Sequence, residues 1–316
     1  MSNINPLISI CIPAYKRIDF LKRLLHSISI QTFLDFEVVV TDDSASPEVA
    51  KLCDEYGKLF LLRYYKNEKP FGTPENWNEA IRKANGSWIK IMHDDDWFPD
   101  EDSLEEYVEA IYDYPDEKFF YGAYRNMYAK SGRFKEVFTS IIRRAKLQKN
   151  PAILFASNVI GPPSVILHKN DKEFWYDPAI KWVVDIDFYI RVLQKYRAIY
   201  IPSVLVNVGM HDEQVTVTTF RKPEVEIPEN FYLLDKVGSS KLMNVSVYDA
   251  WWRLMRNLNI QNLEQIQRYG YQGRVPMAIQ SMIRWQHRIP RSVLRIGVLS
   301  KLLMLLNYLR NIPRIR

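Results

Sequence analysis

Four short apolar runs, the second of them β-branched, alternate with helical spacing over the first hundred residues, which restricts the chain to an α/β architecture. Residues 7–12 form the first run and end at Pro13, and residues 20–30 follow with apolar positions at helical intervals. Residues 36–41 end at Asp42-Asp43. Ser46-Pro47 then opens a helix to about Gly57, with Ser46 as its cap and Pro47 in its first turn. Residues 59–65 read as a third strand, and Thr73-Pro74 opens a helix closed near Asn85-Gly86. Residues 88–92 are the fourth strand and lead into His93-Asp94-Asp95-Asp96. This order predicts a mainly parallel, doubly wound sheet with helices on both faces.

The middle is less regular. Residues 118–124 and 164–168 read as strands, 182–196 as a helix, and 199–208 as an extended stretch interrupted by Pro202. From about residue 231 the pattern is helical, and 293–309 is a long apolar stretch broken by Arg295, Lys301 and Asn307. Those interruptions make a poor membrane-spanning helix and predict an amphipathic one lying in a membrane interface. Packing of that helix on the catalytic domain or on a second subunit is the alternative.

Charge sharpens this division. The chain carries 43 Lys and Arg against 37 Asp and Glu, yet no acid follows Glu264 while ten bases do. Without those ten, residues 1–264 hold 33 bases against 37 acids, a net of −4. The basic tail points to phosphate-bearing partners, and its leucines at 302, 303, 305 and 306 suit lipid better than nucleic acid. Cys11 and Cys53 fall in core-like segments and read as reduced apolar fillers. The first residues lack a basic head and a strand follows at once, so the cytoplasm is the expected compartment, with peripheral attachment to its membrane face.

Ligands of a doubly wound sheet gather at the carboxyl ends of its strands. Pro13-Ala14-Tyr15, Asp42-Asp43 and Asp94-Asp95-Asp96 all fall at such ends. Adjacent carboxylates repel, and a cation that neutralises them removes that cost; Mg2+ and Mn2+ take oxygen ligands and keep positions open for phosphate oxygens. A solvated loop capping the next helix is the competing reading of the three aspartates. For Asp42-Asp43 the choice lies between helix caps and a carboxylate that accepts from a nucleobase or ribose. Tyr15 can stack on a base or simply pack. Asp185 and Asp187 head an apolar helix, where they serve the helix dipole or supply a general base. His211 reads as a metal or phosphate contact or as an ordinary loop histidine.

These segments resemble the family 2 glycosyltransferases, inverting enzymes of the GT-A fold found in bacterial glycan assembly. The resemblance runs from Ile8-Ser9-Ile10-Cys11-Ile12-Pro13-Ala14-Tyr15-Lys16-Arg17, through Ser27-Ile28-Ser29-Ile30-Gln31-Thr32-Phe33 and Val38-Val39-Val40-Thr41-Asp42-Asp43-Ser44, to Ala84-Asn85-Gly86-Ser87-Trp88-Ile89 and the aspartates. It resumes at Asp185-Ile186-Asp187-Phe188-Tyr189-Ile190-Arg191, then His211 and Thr216, covering roughly residues 6–216. The resemblance implies that Pro13, Ala14, Tyr15 and Asp43 hold base and ribose, with Arg17 near the phosphates. It implies Asp94 on the ribose or sugar, Asp95 on the metal with Asp96 sharing that task, Asp185 as catalytic base, and Asp187 and His211 as acceptor contacts or supports. Many members carry an acid where Val184 stands and an Asp where His93 stands. It further implies a Mn2+ or Mg2+ cofactor, a nucleoside-diphosphate-sugar donor and a glycan or lipid-linked saccharide acceptor. The catalytic domain would be residues 1–225, with a nucleotide-sugar half to about 98 and an acceptor half from 99, followed by a helical basic region over 226–316.

Two other enzyme classes need a glycine-rich loop after the first strand. A sugar-phosphate nucleotidyltransferase uses it for a triphosphate and a dinucleotide oxidoreductase for a pyrophosphate, but no glycine lies between Leu7 and Phe20. A non-catalytic carbohydrate- or membrane-binding module on the same scaffold is the rival from a different class.

Overall fold

The computed structural model describes residues 5–212 and 221–315. They form two compact units. One runs to Lys149 and resumes over Val159–Asp212, and the other takes Asn150–Asn158 with the described residues beyond Asp212.

The first unit is built on an eight-stranded sheet. Its opening alternates β1 (Ile8–Ala14), α1 (Ile18–Ser29), β2 (Phe36–Asp42), α2 (Glu48–Tyr56), β3 (Leu62–Lys66), α3 (Glu75–Lys83) and β4 (Trp88–Ile91). β1 pairs in parallel with β2 and β4, and β2 with β3, so their carboxyl ends share one edge. β2 is buried along its whole length, which explains its central Val38-Val39-Val40 run. β3 starts at Leu62 rather than residue 59, because Leu59 and Leu61 lie exposed beyond the pairing with Val38. The opposite edge is tied by buried Glu37, which accepts from Ser9 Oγ, the Asn85 amide and Arg63.

The sheet continues with α4 (Ser103–Asp113), β5 (Phe119–Tyr128), β6 (Phe134–Val137), α5 (Ile141–Lys149), β7 (Ile166–Lys169), α6 (Val184–Leu193) and β8 (Ala198–Met210). Across it the order is β3-β2-β1-β4-β7-β5-β6, with β8 beside β5. β7 runs antiparallel to both β4 and β5, whereas β8 is parallel to β5. Pro202 does not end β8. The register slips from Gly122↔Ile201 to Ala123↔Val204, so the residue without an amide hydrogen is left out of the ladder. Ser46 does not cap α2: its hydroxyl donates to the Glu48 side chain (2.9 Å), because the helix begins one residue later than its cap position requires. Cys11 and Cys53 are buried free thiols.

The second unit is helical: α7 (Pro223–Val237), α8 (Val245–Asn257), α9 (Leu263–Arg268), α10 (Met277–His287), α11 (Arg291–Arg295) and α12 (Gly297–Ile315). Its core gathers Phe231, Tyr248, Trp251, Trp252 and Met282, and takes in Ala152 from the short turn Pro151–Phe155. The apolar stretch 293–309 divides at Ile296, whose ψ of 107° is extended. α12 is two-faced in an unusual sense. Its inner face sets a polar row beside buried Met304: Asn307 accepts from Tyr248 (2.5 Å), both Asn307 and Asn311 donate to Ser281 Oγ (3.0 Å), and Ser300 accepts from Trp252 Nε1 (3.1 Å). Its outer face exposes Val298, Leu302, Leu306 and Leu309. No helix among the described residues is long and apolar enough to cross a membrane.

His168 on β7 gives the sheet a pH dependence. Burial pushes its imidazole down from 6.5 to about 4, and its Nδ1 faces the Lys169 carbonyl at 3.0 Å. The folded state therefore takes up its proton later than the unfolded state as pH falls. The stability tied to neutral His168 is complete above pH 6.5 and is lost as pH falls through about 4. Urea titrations should show a loss of about 3 kcal/mol across that window. His168→Phe should flatten it.

Candidate active site

The carboxyl-terminal edge collects a cluster of opposite charges. Asp94, Asp95 and Asp96 follow β4 and are 2%, 6% and 2% exposed. Carboxylates this deep require compensation. Arg17, in the turn after β1, supplies part of it: its guanidinium forms an ion pair with both oxygens of Asp94, and Nη1 lies 3.2 Å from Asp95 Oδ2. His211, just beyond β8, reaches the same Asp95 oxygen at 2.8 Å and Arg17 Nη1 at 3.2 Å. Burial outweighs the ion pair at Asp94 and pushes its carboxyl up to about 7. Burial also acts on Asp95, but the His211 hydrogen bond and the Arg17 charge overcome it and hold that carboxyl low. Asp96, the most enclosed, is pushed well above the carboxylate range by burial and then by Asp95.

Backbone contacts hold this loop. Asp96 Oδ1 accepts from the Gly209 amide (3.1 Å), and Trp97 and Asn207 exchange backbone hydrogen bonds at 3.0 and 2.8 Å. A Cβ on Gly209 would fall well inside contact with the Asp95 carbonyl oxygen. α1 presents Arg17, Phe20 and Arg23 at helical spacing toward the loop. Arg23 Nη2 donates to the Asp95 carbonyl (2.9 Å) while its guanidinium lies 3.5 Å from the Trp97 ring centroid. Phe20 packs on His211 with ring centroids 4.9 Å apart. Below the loop, Lys90 is fully buried and donates to the Ser164 carbonyl and Tyr107. Arg23, Lys90 and the β8 contact carried no motif. The only trace of Arg23 was its place on the Arg17–Phe20 face.

His93, Asp95 and Asp96 offer ligand atoms that all lie within 4.8 Å of one another. Two observations make this set fit a divalent ion. Burial first, and Arg17 after it, lower the His93 imidazole to about 4, leaving a neutral nitrogen ligand. Its Nε2 is buried with no hydrogen-bond partner among the described residues. One neutral imidazole and two carboxylates form a donor set that a divalent ion can take. His93 was absent from the metal set expected from sequence, being visible only as a departure from the usual Asp.

The remaining expected residues fall in two places. Pro13 and Ala14 end β1, Asp43 donates its amide to the Ala14 carbonyl (3.1 Å), and Tyr15 is 48% exposed. The Asp43 carboxylate is buried and accepts from Asn67 Nδ2 (2.7 Å) and from the Phe71 and Gly72 amides (3.0 and 2.8 Å). Neither it nor Asp42 caps α2, since Asp42 accepts from Ser44, Tyr64 and Lys66. Asp185 and Asp187 lie in the first turn of α6. Asp185 is half-buried and accepts from the Ile186 amide (2.8 Å), whereas Asp187 is fully buried and bound by Arg191 (2.7 and 2.9 Å). Packing links this turn to the acidic loop: His93 lies on Trp77 (4.7 Å), Trp77 on Tyr176 (5.1 Å), and Tyr176 stacks on Phe188 (4.2 Å). Thr216 lies outside the described residues.

Comparison with known proteins bears on the domain and its fold. Residues 9–160 match the family model Glycosyl transferase family 2. These residues form a family 2 glycosyltransferase domain. An uncharacterized glycosyltransferase of Haemophilus influenzae is 27% identical over 219 residues, which is 67% of this chain and 71% of that protein. A Campylobacter jejuni protein, named GalNAc(5)-diNAcBac-PP-undecaprenol beta-1,3-glucosyltransferase, is 30% identical over 97 residues, 29% of this chain and 30% of its own. Among solved structures, S. aureus TarS 1-349 in complex with UDP has a TM-score of 0.61 at 14% identity, covering 98% of this chain and 89% of that one. The mannosyltransferase PcManGT from Pyrobaculum calidifontis, in complex with GDP-Man and Mn2+, has a TM-score of 0.57 at 14% identity, covering 98% and 88%. The family 2 domain thus has the GT-A fold, followed by C-terminal helices.

The close approach at Gly209 generates a stability test. Gly209→Ala should cost about 1–3 kcal/mol by overpacking. Gly297→Ala, where a Cβ meets nothing within 4 Å, should stay close to wild type. Thermal melts of the two variants measure the difference.

Proposed function

We propose that the chain is a metal-dependent, inverting glycosyltransferase of the hexosyl type. It would move a sugar from a nucleoside diphosphate to a hydroxyl of a glycan or lipid-linked saccharide. The observation that carries this reading is the grouping of His93, Asp95 and Asp96 at ligand spacing beside Arg17 and His211, on the carboxyl-terminal edge of a family 2 domain. The Mn2+ and GDP-Man of one similar structure, and the UDP of another, support the same pairing of metal and nucleotide here.

Asp95 and Asp96, with His93, would hold the ion, and the domain 1–225 would house the reaction. A divalent ion there supplies electrostatic stabilisation of the departing diphosphate. Arg17 adds a guanidinium fork that can turn from Asp94 and Asp95 to phosphate oxygens. Pro13, Ala14, Tyr15 and Asp43 would form the base and ribose side, and Asp94 would meet the ribose or sugar. Asp185 would take the proton of the acceptor hydroxyl as that oxygen attacks the anomeric carbon from the face opposite the diphosphate, so configuration inverts. Asp187 supports the turn through Arg191, and His211 steadies Asp95.

Asp185→Asn should lower transfer by at least about a hundredfold while leaving nucleotide binding near wild type. Asp95→Ala should abolish both transfer and the Mn2+-dependent part of the nucleotide thermal shift. Full transfer by either variant would remove its assigned role. The anomeric coupling of the product, read by NMR from a donor of known configuration, tests inversion.

The lipid-linked acceptor in the name of the Campylobacter relative, and the outward leucines of α12 flanked by Arg295, Lys301 and Arg310, support peripheral attachment at the cytoplasmic membrane face. Leu302→Glu with Leu306→Glu should abolish flotation with vesicles of anionic lipid while transfer to a soluble acceptor persists. Unchanged flotation would end the membrane reading.

A further inference from the structure

The helical unit encloses a second feature that the transfer reaction does not use. A cavity of about 340 Å3 opens among the ends of α8, α10 and α11, at the small end of the range for ligand pockets. Arg221, Arg256, Arg291, Arg295 and His287 line it, and no Asp or Glu does. Glu226 lies in the field of Arg221, but the guanidinium groups of Arg256, Arg291 and Arg295 around one cavity still repel one another unless an anion sits between them.

The surroundings offer little to relieve that repulsion. No acid follows Glu264, so α10, α11 and α12 contribute none. Arg291 and Arg295 are exposed on α11 and form no ion pair with any described residue. Arg256 is fixed by neutral acceptors: Ser300 Oγ at 3.0 Å, the Leu294 carbonyl at 3.5 Å, and Asn257 Oδ1 at 3.1 and 3.0 Å. Asp249, whose field reaches Arg256, is already shared by Arg253 (3.2 Å) and Lys301 (3.0 Å). Burial and the neighbouring Arg253 both act against the Arg256 charge, as expected for a cation set beside other cations.

Planar guanidinium forks match the oxygen geometry of phosphate, and several such forks around a cavity bind a multiply charged anion better than a single lysine would. We propose that this cavity is an anion site for a phosphate-bearing group of about pyrophosphate size. Such a group is carried either by a lipid headgroup or by a soluble phosphate ester. The site is independent of the acidic loop and needs no metal.

Calorimetric titration of the full chain with inorganic pyrophosphate in EDTA tests the proposal. Wild type should bind, and Arg291→Ala with Arg295→Ala should weaken binding at least tenfold. Arg291→Lys with Arg295→Lys should fall between them, because charge is kept and the fork is lost. If the alanine pair fails to fold, Arg295→Gln alone should still weaken binding several-fold. The proposal is overturned if wild type does not bind pyrophosphate without metal, or if the folded variants bind as tightly as wild type. Vesicles of phosphatidylglycerol against phosphatidylcholine distinguish the sources. A parallel loss of phosphatidylglycerol binding in the variants assigns the group to lipid, and loss of pyrophosphate binding alone assigns it to a soluble ligand.

Discussion

Three consecutive carboxylates buried behind β4 are the constraint around which the first unit is organised. Burial relieves part of that charge by raising Asp94 and Asp96, and the fold brings positive charge to the rest from two other places. Arg17 comes from the turn after β1, and His211 from the far end of β8. The parallel neighbours β1 and β4 fix the first distance, and the β8 tip, locked to Asp96 and Trp97, fixes the second. On the function proposed above, the Arg17 guanidinium stands beside the place where a metal-bound diphosphate would exert its own charge. Exchange of one compensating arrangement for another then requires no rebuilding of the sheet.

The rest of the unit supplies rigidity. Asp43 receives three hydrogen bonds from the 67–72 loop, so its position depends on a segment remote in sequence from the acidic run. The rings of His93, Trp77, Tyr176 and Phe188 form a packed column between the acidic loop and the first turn of α6. A change of volume in that column would be felt at both of its ends.

Much of this was legible from residue order. Short apolar runs located the parallel strands, and acids at their ends marked the ligand edge. Features that depend on distant pairing were not legible. Nothing near His93 announces that its ring comes within ligand spacing of Asp95 and Asp96 while Trp77 packs against it, because both contacts depend on the folded loop. Spacing alone does not separate Asp187 from Asp185, whereas in the fold Arg191 one turn later binds Asp187 in the core. The segment Asn150–Asn158 reads as part of the middle of the chain, but Ala152 packs into the helical core. Pro202 reads as an interruption of an extended stretch, and the bulge in β8 that accommodates it shows only in the pairing with β5.

The polar row on the inner face of α12 limits how that helix can behave. Asn307 and Asn311 meet Ser281, and Ser300 meets Trp252, at spacings that a quarter-turn rotation or a one-turn slide would break at once. Each broken bond would strand a buried amide or hydroxyl. The helix is therefore keyed in azimuth and height like a pin in a lock, and cannot roll its leucines inward to escape water. Whatever covers that ridge must come to it.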